Sequence, residues 1–375
     1  MTKPSRVAGL SAVLALVACG GGGDADEVTD VLDEEIIVWS VEPVPLNTQY
    51  LSVWGRANDD VWAVGWDGGI VHYDGVEWTR EVIVTTSTIT PTLPLTSVFG
   101  VPLPNNVDVT DPTFIPPPVF AVGWEGTILE RMPDGVWVEA PRAVGTSTLT
   151  QDLFAVHIHD ENSGLAVGDQ GTIFVWDGVE WDYRRLRVPG AFSGEIIEPR
   201  VSLAGVWTPN GNEYTIVGSR GAAFRSFGIG DSFVALDTRI EEPLRGIWGT
   251  GNNNIFAVGL QSTILELQGS EWRRITNRGA DDIPVTFLFG IHGRGGNDVY
   301  IVGWQGVAVR FNGGRYEVED TTVEADLRDV WTAPIERVQL TEDFAYDRDV
   351  VFAVGANGTI LRREPPPPEP PEPLP

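Results

Sequence analysis

The sequence predicts an all-β protein, a single seven-bladed β-propeller of four-stranded blades. Three observations carry that prediction. One short pattern recurs seven times along 375 residues. The composition holds Gly 43 and Pro 27 against Met 2, which suits turn-rich strands rather than helices. The last copy stops one strand short, and an orphan strand upstream of the first copy resembles the missing piece.

Each copy opens with an apolar residue, two spacers, Val or Ile, and then an aromatic residue or His. Tyr50 to Trp54, Leu95 to Phe99, Leu153 to His157, Leu203 to Trp207, Leu244 to Trp248, Leu288 to His292 and Leu327 to Trp331 all fit. The third residue of this first strand is small except for Asp329, as expected where strands crowd a common axis. A second apolar run follows and ends in Gly, as in Val61 to Gly65 and Val119 to Gly123. The Gly-x-x-Gly segment predicts a tight hairpin with glycine at both positive-φ corners. A third run follows, such as Thr127-Ile128-Leu129, and then a piece like Asp74 to Trp78 or Asp177 to Trp181. Four β-branched or aromatic runs with Gly, Asn and Asp between them read as four strands. The copies lie about 48 residues apart, the length of one blade.

The seventh copy ends at Arg363 without a fourth strand. Residues 36–42 (Ile36-Ile37-Val38-Trp39-Ser40-Val41-Glu42) resemble the fourth strand of copy one and are expected to complete blade seven. The body therefore spans 36–363. Residues 364–375, mostly Pro, read as a disordered polyproline tail.

The start of the chain suggests an address. Lys3 and Arg6 precede the apolar run Val7 to Ala18. That run is too short to cross a bilayer, which takes roughly 20 residues, and has the length of a signal-peptide core. Leu16-Val17-Ala18-Cys19 resembles the lipobox of bacterial lipoproteins, so residues 1–18 are expected to be removed and Cys19 lipidated. Cys19 is the only cysteine, so no internal disulfide exists. Gly20, where that family's inner-membrane retention signal has Asp, implies the outer membrane, periplasmic or cell surface. Residues 19–35 carry four glycines, seven acids and no cation, and read as a flexible tether.

The repeats are similar to sialidase-like propeller repeats, including the photosystem II assembly-factor type, and to lipoproteins predicted in myxobacteria. Those families share the Val-Gly-x-x-Gly-Thr-Ile-Leu and Asp-Gly-x-x-Trp segments. The resemblance implies the fold and says little of function. No copy keeps the Ser-x-Asp part of the Asp-box, and the marks of WD40 repeats are absent.

Charge excludes one class. Lys+Arg 25 against Asp+Glu 53 gives a net charge of -28, unfit for neutralising nucleic-acid phosphates. The candidate ligand face carries the second-to-third-strand turns. Trp66, Trp124 and Trp304 share one turn position in blades one, two and six, as stacking platforms for a glycan or anchors for a protein. The simpler alternative is that each covers the neighbouring hairpin. Arg220, Arg245 and Arg328 form a candidate cationic mouth, with ordinary salt bridges as the plainer reading. Sialidases clamp a carboxylate with three arginines. Here the remaining channel positions are mostly Leu, Phe, Thr and Ala, so no catalytic residue is assigned.

His157 and His159 share a strand face, too few ligands for a metal, and His157 and His292 replace a repeat aromatic. No cofactor is expected. Gly100 to Pro118 and Thr332 to Asp349 are long insertions on the opposite face and form a second candidate surface. The expected protein is a monomeric, noncatalytic, lipid-anchored envelope scaffold for an unidentified protein. A carbohydrate-binding propeller is the alternative and a glycosidase or lyase the third reading.

Overall fold

The computed structural model describes residues 39–365, apart from 86–91, 104–110, 112, 144, 146–148, 191–194, 231, 270, 276–282 and 342–343. The signal segment, Cys19, the acidic tether, residues 36–38 and the tail from 366 lie outside the described residues. Among the described residues no helix is long and apolar enough to cross a membrane.

Seven antiparallel sheets make the seven blades. Blade one shows the plan, with Tyr50–Ala57, Asp60–Gly65, Ile70–Tyr73 and Trp78–Arg80 running from inside to outside. The unbroken apolar runs place the second strands in the interior, and Val61, Trp62, Ala63 and Val64 are all fully buried. The core lies between neighbouring blades.

The tight turns correct one expectation. In blade two the Thr127 amide donates to the Trp124 carbonyl, with positive φ at Glu125 (53°) and Gly126 (71°). This is a type I′ hairpin turn whose first corner is not glycine. The preceding Gly123 is extended. It is glycine for a different reason, since a Cβ there would overlap the Pro94 carbonyl oxygen, which accepts from the Trp124 amide at 3.0 Å. The same close approach recurs in all seven blades, for example Gly65 against the Gln49 carbonyl at 2.6 Å.

Seams between blades follow a size rule. The fifth residue of an inner strand covers the sixth residue of the next. Trp331, Trp54 and Trp248 lie 2.8 Å from where a Cβ would stand on Gly55, Gly100 and Gly293. Where the next blade carries a larger residue, the cover shrinks. His292 meets Thr332, with Nδ1 and Oγ1 2.8 Å apart, and Phe99 packs by Ile158.

Trp39–Val41 pairs antiparallel with Ile360–Arg363, in register Trp39 to Arg363 and Val41 to Leu361. This ladder is the fourth strand of blade seven. Trp39 is 2% exposed, and its indole N–H donates to Glu319 of blade six at 2.8 Å. Arg363, 0% exposed, donates to the same Glu319 at 3.0 Å. Arg363 lies at the far end of its strand from the 356–359 turn, so Trp39 stands on the face opposite the tight turns.

Three pieces depart from four strands per blade. Val82–Ile83 adds a short parallel strand outside Val136–Glu139 of blade two. Val188–Pro189 pairs with Ile196–Ile197 outside the blades. The blade-seven insertion folds into its own hairpin, Glu336–Thr341 with Phe344–Arg348.

Candidate functional site: the channel mouth

Inner strands begin at the tight-turn face and run away from it, so residue position sets depth in the channel. Three layers line one cavity of about 460 Å³. The rim holds Leu51, Thr96, Phe154, Ala204, Arg245, Phe289 and Arg328, with Trp66 and Trp124 above. The waist holds the third residues. The collar below is aromatic, from Trp54 round to Trp331.

Small waist residues have a steric cause. A Cβ on Gly246 would stand 2.7 Å from the Phe289 carbonyl oxygen of the next blade. Where the waist has a polar side chain, it ties one blade to the next. Ser52 Oγ accepts from the Val98 amide and Ser97 Oγ from the Val156 amide, each at 3.2 Å. Asp329, the sequence exception, does the same across the seam between blades seven and one. Its Oδ2 accepts from Ser52 Oγ at 2.8 Å and from the Val53 amide at 3.1 Å, and Oδ1 accepts from the Val330 amide at 2.9 Å. Burial pushes its pKa up to about 6, against the pull of these donors.

The two collar histidines are held neutral. Burial lowers His157 and His292 to about 3. His157 packs tilted against Phe99, with centroids 4.3 Å apart, as the aromatic it replaces would. His159 lies over Gly211 of blade four.

The predicted residues divide. Trp66 and Trp124 come together edge to face, with centroids 5.1 Å apart, and Trp66 stays 44% exposed. Trp304 does not join them. It packs on Phe287 at 4.5 Å and is not part of the cavity lining. Arg245 and Arg328 share the rim, whereas Arg220 projects from its exposed turn outside that lining. Arg328 pairs with Asp326 at 3.2 Å and lies 4.3 Å over the Phe289 ring. The Gln49 amide oxygen also accepts from its Nε at 3.0 Å. The salt-bridge reading therefore holds for Arg328. No ion pair to Arg245 or Arg220 occurs among the described residues.

Phe154, Phe287 and Phe289 were not singled out in the sequence, although the inner-strand register places Phe154 and Phe289 at the rim. Asp329 is the one carboxylate among the described lining residues. A glycosidase of the usual kind works with two. On the opposite face, the blade-seven hairpin is tied down by Asn58 Nδ2 donating to Glu336 at 2.9 Å.

No protein-family profile matches the chain, and no curated protein matches it. Solved structures do match. YCF48 bound to D1 peptide is 14% identical with a TM-score of 0.59, over 87% of this chain and 94% of that one. YCF48 from Cyanidioschyzon merolae is 14% identical at 0.58, over 88% and 99%. The WD40 β-propeller domain of Doa1 is 10% identical at 0.61, over 87% and 96%. At such identities the likeness shows the fold, a seven-bladed propeller.

Proposed function

We propose that this protein is a noncatalytic, lipid-anchored envelope scaffold that docks a segment of another protein at its tight-turn face. The observation that carries the reading is the edge-to-face pair Trp66 and Trp124 at the mouth of an open cavity. Exposed, rigid indoles beside a concave surface are the usual anchors of protein recognition. The peptide bound to one YCF48 structure supports the reading by analogy of fold. Capture from native envelope extracts tests it. A partner retained by wild type and released by the double change Trp66→Ala and Trp124→Ala is expected, and a partner equally retained by both refutes the docking point.

The anchor is proposed on Leu16 to Cys19 alone. Two or three acyl chains, each burying about 0.8 kcal/mol per CH₂, hold a protein on a membrane. Cys19→Ala is expected to move the protein to the soluble fraction. A glycan reading is favoured by Trp304, whose half-exposed indole lies outside the cavity, and a glycan array with Trp304→Ala decides it.

A further inference from the structure

The cavity has a charge order along its depth that selects a ligand class. At the rim, Arg245 is exposed and carries no ion pair among the described residues, in a chain of net charge -28. Its charge is felt by Arg328 on the next blade but one, which is already occupied by Asp326 and Gln49. Facing Arg245 across the mouth is an apolar arc of Leu51, Phe154, Trp66 and Trp124. At the waist, Asp329 places the one lining carboxylate, held by three donors. Below it the collar is aromatic and uncharged, because both of its histidines are neutral.

An anion is thus attracted at the rim and repelled at the waist, while an apolar body is accepted throughout. Burying a charge without a partner is costly, so the orientation is fixed, with charge outward and apolar part inward. Rim and collar are three residues apart along a strand, roughly 10 Å. A single ring on a short stem spans that depth.

We propose that the cavity binds a small amphipathic monocarboxylate, its charge on Arg245 at the rim and its flat body turned inward past Phe154 toward the aromatic collar. The proposal rests on the mouth being open to ligands, as the docking reading also requires, and names the chemistry it takes. A guanidinium is suited to this role because it presents paired donors to a carboxylate.

Calorimetric titration of the full chain with 3-phenylpropionate, its amide 3-phenylpropanamide and the cation 3-phenylpropylamine tests it. The acid is expected to bind about tenfold more tightly than the amide, and the amine not at all. Arg245→Gln is expected to weaken the acid about tenfold and leave the amide unchanged. Phe154→Ala weakens acid and amide alike. Arg245 is exposed, so an unchanged melting temperature of Arg245→Gln shows that the fold is intact. Failure of the acid to bind, equal binding of acid and amide, or an acid affinity indifferent to Arg245→Gln overturns the proposal. Partner capture that depends on Trp66 and Trp124 while the acid fails leaves the docking reading standing and removes this one alone.

Discussion

Trp39→Ala is the sharpest test of how the ring is closed. Trp39 belongs to a strand of three residues, too short to hold by its ladder alone. Its indole is 2% exposed and packs among Tyr300, Val302, Val351 and Leu361. Truncating a buried Trp to Ala costs about 3–5 kcal/mol, because a cavity remains where the ring was. The lost bond to Glu319 adds about 1 kcal/mol, moderated because Arg363 still holds that carboxylate. For a domain of this size each kcal/mol lowers the melting temperature by about 2 °C, so a fall of roughly 8–12 °C is expected. Val41, on the same strand and 59% exposed, supplies the control. Val41→Ala removes a side chain but no backbone bond and is expected to shift the midpoint by under about 1 °C. Differential scanning calorimetry of both variants measures the contrast. Equal midpoints for Trp39→Ala and Val41→Ala refute the argument that this strand is held by its buried indole.

Other consequences follow from the same interior. The raised pKa of Asp329 means that the folded state holds its proton more tightly than the unfolded chain. Its stabilising share is present below about pH 4 and lost as pH rises to about 6, by roughly 3 kcal/mol. Denaturant unfolding of Asp329→Asn is expected to lack this component of the pH profile, and a profile parallel to wild type contradicts it. The lowered His157 and His292 act oppositely, stabilising above about pH 6.5 and losing that share as pH falls toward 3. His157→Phe restores the repeat aromatic and is expected to flatten the acid limb, whereas an unchanged acid midpoint speaks against a buried neutral imidazole. Arg363→Met removes the buried cation shared by the half-buried Glu319 and Asp349, which keep Trp39 and Arg294 as partners, and is expected to cost about 2–3 kcal/mol by chemical denaturation. A cost under about 1 kcal/mol removes Arg363 from the account.

Much of the architecture was readable because every blade repeats its own turn chemistry. The Val-Gly unit that closes each second strand marks a hairpin, with a second Gly three residues on in six copies and Ser262 in the fifth, so seven copies imply seven blades. The reason for its first glycine was not readable. Gly123 is adjacent in sequence to a turn, yet what forbids a side chain there is the carbonyl of Pro94, nearly thirty residues earlier in the chain. Asp329 stood out as a departure from small residues, but its role needed Ser52 and Val53 from the other end of the repeat array. The candidate site was half legible for a similar reason. Trp66, Trp124 and Trp304 share a repeat position, and repeat position determines height above the channel. Whether two indoles meet depends on blade adjacency, which joins blades one and two and leaves blade six with Phe287. The hairpin at residues 336–348, within the insertion Thr332 to Asp349, carries no repeat signal and was not read from the sequence.

The three-residue strand at Trp39 also defines how the molecule yields to force. A pull applied upstream of Trp39 acts from the side away from the mouth and meets the bonds to Ile360–Arg363 one at a time, as in peeling a zip. Extraction of the indole is the first and hardest step. Opposed by a hold on the chain just after Arg363, such a pull is expected to open this ladder before it loads the other six sheets.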